Sequence, residues 1–148
     1  MSAYDASALG ALVGFIAFLG ILTLVLYIIE VIAMWKIFTK GGQAGWKSLI
    51  PIYNYYVLYD ITWQAPIGFA YGVMFFVNTL ERNKIIALPG FLSLSISLAI
   101  LVLHIMQSIK MAKAFGKGTG FAIGLILLQP IFLLILGYGR AEYVGKEE

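Results

Sequence analysis

Apolar stretches broken by short polar clusters set out the architecture of this chain. Residues 6–29 carry no charged side chain, and runs of about twenty such residues read as membrane-spanning helices. The pattern predicts four spans, at about 8–36, 64–80, 85–109 and 120–138. At about 1.5 Å per residue, the first and third are long enough to cross a bilayer with tilt. The second is short and needs Ile61–Gln64 to extend it. Between the first two lies WKSLIPIYNYYVLYDIT, residues 46–62, apolar but crowded with Tyr and interrupted by Pro51 and Asn54. It is expected to be an interfacial or shallow re-entrant segment, its rings at headgroup level; the plainer alternative is a bent start to the second span. The expected fold is therefore an all-α membrane protein, one transmembrane domain over residues 1–148.

Composition supports this class. The chain is 61% hydrophobic and 11% charged, whereas soluble domains run near half and a quarter. Cys is absent, which removes disulfides, thiolate chemistry and Cys-ligated metals. The start, MSAYDASALG, lacks a basic region followed by a short apolar core and cleavage site, so no cleaved signal peptide is expected. The polar tail AEYVGKEE is expected to fray.

Charge sets the sidedness. Lys36, Lys40 and Lys47 follow the first span, and Lys110, Lys113 and Lys117 follow the third. The other two loops mix signs: Glu81, Arg82 and Lys84 in one, Arg140, Glu142, Lys146, Glu147 and Glu148 in the other. With four spans, the lysine loops share the cytoplasmic side and both termini lie outside the cytoplasm. Trp35, Trp46, Tyr53, Tyr55, Tyr56, Tyr59 and Trp63 then form an inner aromatic belt, and Tyr4, Tyr138 and Tyr143 an outer one. The lysines are also placed to attract anionic lipid headgroups.

The chain partly repeats itself. Met34, Lys36, Phe38, Lys40 and Gly41 match Met111, Lys113, Phe115, Lys117 and Gly118, and Gly45-x5-Pro51-Ile52-Tyr53 matches Gly124-x5-Pro130-Ile131-Phe132. Lysine and glycine are common where a helix leaves a membrane inward, but this many matched positions exceed that habit. The reading is a weak twofold internal repeat with both halves in the same orientation.

These phrases carry a resemblance. MWKIFTKGGQAGWKSLIPIYNYYVL, and AKAFGKGTGFAIGLILLQPIF followed by LGYG, resemble an uncharacterised family of small bacterial integral-membrane proteins. That family also occurs as the N-terminal membrane region of some bacterial type I signal peptidases. The middle, DITWQAPIGFAYGVMFFVNTL, departs from the family's usual Lys-x-x-Gly-(Lys/Arg)-Pro-Trp-Trp-like approach to the second span. The resemblance implies a helical architecture and the bacterial cytoplasmic (inner) membrane. It implies no activity, and the peptidase chemistry is not expected here.

Ionisable groups within spans are the first functional suspects. Glu30 lies six residues before Lys36 and His104 six before Lys110, so each should stand about 9 Å from the lysine layer. Four readings stay open: separate satisfaction by interface or backbone, a Glu30–His104 hydrogen-bonded pair, a proton-handling role, and pigment or haem ligation, for which the lone His104 could fill one axial position. Ser93, Ser97, His104 and Gln107 fall within about 80° of one another on a helix, a polar stripe suited to interhelical hydrogen bonds. Gly10 and Gly14, Gly68 and Gly72, and Gly120 and Gly124 have the spacing that lets helices approach closely. Gln129-Pro130 should kink the last span, with Gln129 satisfying the freed carbonyl. No nucleotide loop, zinc cluster or nucleophile elbow is present in the sequence. The expectation is a non-enzymatic multi-pass protein with no cofactor and no metal. It would act as an accessory or scaffold subunit of a larger membrane complex, partnered by other integral membrane proteins, by itself and by lipids, and not by nucleic acid. The alternative is a small oligomeric transporter or channel using Glu30 and His104.

Overall fold

The computed structural model describes residues 3–146. In chain order it has α1 (Ala3–Lys40), a 3-10 turn (Gly45–Leu49), α2 (Tyr53–Thr62), α3 (Ala65–Arg82), α4 (Gly90–Ala114), α5 (Thr119–Leu127) and α6 (Gln129–Tyr138), and no strand among the described residues. Two helices, α1 and α4, are long and apolar enough to cross a membrane, rather than the four expected. The 18-residue α3 is diluted by Asn78, Glu81 and Arg82.

The expected fourth span is not one helix. Proline has no N–H to give and its ring excludes the carbonyl four residues back. Helix α5 accordingly ends at Leu128, whose backbone leaves the helical region at φ −133 and ψ 47. Helix α6 restarts with Pro130 in its first turn, where proline is favoured. The rings of Phe121 and Phe132 meet edge to face at 4.9 Å. In a single straight helix those residues would stand about 16 Å apart along the axis. The two helices fold back on each other as a hairpin, with Gly124 beneath the Phe132 ring.

Residues 46–62 make a second hairpin, deeper than a segment lying flat. After Lys40 the chain climbs back along α1: Gly45 lies against the Trp35 indole, and Ser48 shares a cavity wall with Tyr27 and Glu30. It turns at Pro51 and Ile52, and α2 then descends. Ile52 takes a φ of 65, a strained setting for a β-branched residue. Helix α3 packs antiparallel to α2 because Gly68 admits the Tyr55 carbonyl and the Tyr59 ring, and Gly72 admits Ile52.

Each hairpin returns against the long helix of the other half. Helix α6 runs parallel to α1: the Tyr138 hydroxyl donates to the Ile29 carbonyl at 3.1 Å, and Gly137 sits on Ala33. Lys40 closes the pair by donating to the carbonyls of Leu136 and Gly139, at 2.5 and 2.9 Å. Helix α2 runs beside α4: the Tyr59 hydroxyl donates to the Leu103 carbonyl at 3.4 Å. In the Pro51/Pro130 register, Tyr59 and Tyr138 are equivalent positions of the repeat. The core, with Ile37, Phe38, Leu58, Met111, Phe115, Leu125 and Leu136, occupies the lysine half of the bundle.

The tail is docked, where fraying was expected. Val144 donates its amide to the Ala114 carbonyl at 2.8 Å, Tyr143 its hydroxyl to the Ile61 carbonyl at 2.6 Å, and Lys146 its ammonium to the Asp60 carbonyl at 2.9 Å. The hairpin thus brings the C-terminal residues to the same end as Lys40, opposite the start of α1, and the expectation of both termini at one end is corrected. Tyr138 and Tyr143 lie at that lysine end too, not in an outer belt; Lys36 stands over the Tyr138 ring at 4.9 Å. Glu147 and Glu148, counted in the mixed-charge tail, lie outside the described residues.

Candidate functional site

The two hairpin tips meet beside α1 and enclose a cavity of about 230 Å³. Tyr27, Glu30, Val31 and Met34 come from α1, Ser48 from the 3-10 turn, Asn54, Tyr55 and Leu58 from α2, and Gln129 and Leu133 from α6. The pattern explains the placement. Tyr27, Glu30, Val31 and Met34 are three and four residues apart, one face of a helix. Ser48 and Asn54 flank the turn at Pro51, and Gln129 opens the helix that Pro130 restarts.

The polar groups here are short of partners. Ser48 is 6% exposed, yet its hydroxyl has no hydrogen bond, nor does the buried side-chain carbonyl of Asn54. Among the described residues no hydrogen bond or ion pair reaches the Glu30 carboxylate. Buried polar atoms are usually paired, and the half-buried Glu30 carboxylate stands beside two that are not. No Lys, Arg or His lines this cavity. A second cavity of about 260 Å³ shares Tyr27, Ser48, Asn54 and Tyr55 with the first. It runs on between Leu49, Pro51, Ile52, Gly72, Phe75 and Phe76 as an apolar groove.

His104 lies elsewhere. Its Nε2 faces the Ile126 carbonyl at 3.4 Å. Ile126 is four residues before Pro130, so this is the carbonyl that proline leaves without its helical donor. His104 supplies the partner that the sequence had assigned to Gln129, and no contact among the described residues joins Glu30 to His104. The repeat supplies the reason. In the Met34/Met111 register Glu30 matches Gln107, while His104 matches Tyr27, one turn away.

The rest of the α4 stripe faces protein. Ser93 donates to Glu81 at 2.8 Å, and Ser97 accepts from Asn78 at 3.1 Å, both on α3. Gln107 is buried and donates to the Thr62 hydroxyl at 2.6 Å, leaving its own carbonyl oxygen unpaired. Lys47 donates to the Gln43 side chain at 2.7 Å. Lys110 and Lys113 end α4, and Lys117 follows it. Of the paired glycines, Gly68, Gly72 and Gly124 make close contacts, while Gly10, Gly14 and Gly120 face open space. Sequence reasoning missed Ser48, Asn54, Tyr55 and Tyr27 as lining residues. The signal was Asn54 so close to Pro51 at the matched point of the repeat. Among the described residues no group of His, Asp and Glu is gathered to hold a metal ion.

A family model described as "Family of unknown function (DUF5684)" matches residues 46–146. The chain belongs to that family. No curated protein and no solved structure matches it. The DUF5684 segment contains both hairpins, α3 and α4, and therefore Ser48, Asn54, Tyr55 and Gln129. Glu30 reaches the cavity from α1, ahead of that segment.

Proposed function

We propose that this is a multi-pass protein of the bacterial inner membrane that binds and passes a small solute at the chamber beside Glu30, as a small transporter or channel, without catalysing a covalent reaction. The observation that carries this is the meeting of two hairpin tips around a carboxylate and two unpaired buried oxygens. Irregular backbone at membrane depth is tolerated where it lines a cavity, and broken helices meeting at a polar site are a recurring transporter device. In this proposal α1, α3 and α4 cross, and the two hairpins enter from the lysine side and return to it. The N-terminus then faces away from the cytoplasm and the C-terminus faces into it. The positive-inside rule supports that orientation, since six lysines gather at one end.

The test is solute flux into liposomes carrying the purified chain. Flux above that of empty vesicles, reduced by Glu30→Gln, is expected. Flux equal to empty vesicles for every ion and small amine tried would sink the proposal.

A second reading, an accessory or scaffold subunit, is favoured by one observation. The described residues of α1 before Ile29 are exposed on every face. Native mass measurement after gentle extraction checks it: a heteromeric assembly is expected, and a persistent monomer rules it out. The tie to type I signal peptidases rests on the sequence resemblance alone and belongs to this second reading.

A further inference from the structure

We infer that the chamber takes the protonated amine of an amphipathic molecule whose apolar body lies in the adjoining groove; this rests on the solute-binding reading above and names its ligand class. Three oxygens able to accept a hydrogen bond line the chamber: the Glu30 carboxylate, and the Asn54 side-chain carbonyl and Ser48 hydroxyl, both buried and unpaired. Ser48 is 94% buried by its 6% exposure, so its orphaned hydroxyl is part of a built site. A primary ammonium brings one positive charge and three N–H donors, one for each acceptor. The charge matters because the cavity wall holds a carboxylate and no cationic side chain.

The groove decides against a bare ion. Its cavity opens directly from the chamber through the shared residues Tyr27, Ser48, Asn54 and Tyr55. Beyond them the walls are Leu49, Pro51, Ile52, Gly72, Phe75 and Phe76, with Thr79 the one polar side chain added. A metal cation would use the chamber and leave the groove empty. A neutral apolar molecule would use the groove and leave the two buried oxygens unpaired. An amine on an apolar body fills both. Gln129, at the tip of the second hairpin, completes the polar wall.

The test uses the full chain in phosphatidylcholine nanodiscs, with n-octylamine as probe and calorimetric titration as readout, so it is independent of flux. Saturable octylamine binding is expected, with n-octanol binding far more weakly. Glu30→Gln should weaken octylamine binding about tenfold or more, the scale of one hydrogen bond to a charged group. Ser48→Ala should weaken it less, and each variant's thermal unfolding is checked alongside. Octanol binding as tightly as octylamine overturns the inference. So does octylamine affinity unchanged in both variants, and so does displacement of octylamine by sodium ions at equal concentration. Any of these results with liposome flux intact overturns the amine assignment and leaves the transport reading standing. Adding phosphatidylethanolamine separates the sources of the amine. Its retention in native mass spectra over phosphatidylcholine assigns the site to a lipid headgroup, and its absence with octylamine bound assigns it to a free amine.

Discussion

Gly137 and Ala33 pack backbone to backbone: a Cβ added at Gly137 would stand 2.6 Å from the Ala33 carbonyl oxygen and 2.9 Å from its Cβ. The neighbour is main chain of a long helix, so nothing there yields cheaply. Gly137→Ala should destabilise by about 1–3 kcal/mol, the range for overpacking, and Gly137→Leu should prevent α6 from seating. Thermal unfolding in detergent reads both. Gly10→Ala, with open space around it, should leave the melting temperature unchanged or slightly raised.

The chain lacks Cys, which makes single-cysteine labelling clean. With α5 and α6 folded back, Glu142→Cys should react from the same side as Lys47→Cys and Lys117→Cys, and Asn83→Cys from the opposite side. A four-span path would instead pair position 142 with position 83. Impermeant thiol reagents on whole and opened vesicles distinguish the two.

Thr62 and Gln107 differ in what they leave behind. Thr62→Val removes the hydroxyl that accepts from the buried Gln107 amide and should cost about 1–2 kcal/mol. Gln107→Leu also removes a carbonyl oxygen that is already unpaired, so it should cost less. A double-mutant cycle by unfolding should give the pair a favourable coupling.

Tyr143 supplies an alkaline limit. Burial pushes its hydroxyl above the ordinary 10.0, opposed by a hydrogen bond from the Lys146 backbone and reinforced by Asp60. A raised folded value means the folded state holds the proton more tightly. Its contribution is fully present below about pH 10 and is lost as pH rises through the folded value. Tyr143→Phe should lower stability at pH 8, where the bond to Ile61 is lost, and flatten the decline above pH 10. Melting temperatures from pH 8 to 11 check this.

The helical class and the long first and third apolar runs were legible from periodicity and charge. The reversals were not. Hydropathy counts apolar residues and is blind to direction, so residues 120–138 read as one span although Pro130 turns the chain back. The same blindness hid the depth of the Pro51 turn. Glu30 and His104 looked matched because both precede a lysine by six residues. The repeat's own register sets Glu30 against Gln107. Ser48 was invisible as a site residue because only the fold gives it burial without a partner.

The Tyr138–Ile29 hydrogen bond joins residues 109 apart in sequence, which bears on how the protein is made. Helix α1 leaves the ribosome well before α6, its seat. Contacts so distant in sequence are slow to close. Until α6 arrives, Glu30 has only the first hairpin beside it, and the wall made by Gln129 and Leu133 is missing. The site is therefore complete only once α6 has been made and seated, and chains truncated before Gln129 should insert in the membrane yet bind nothing.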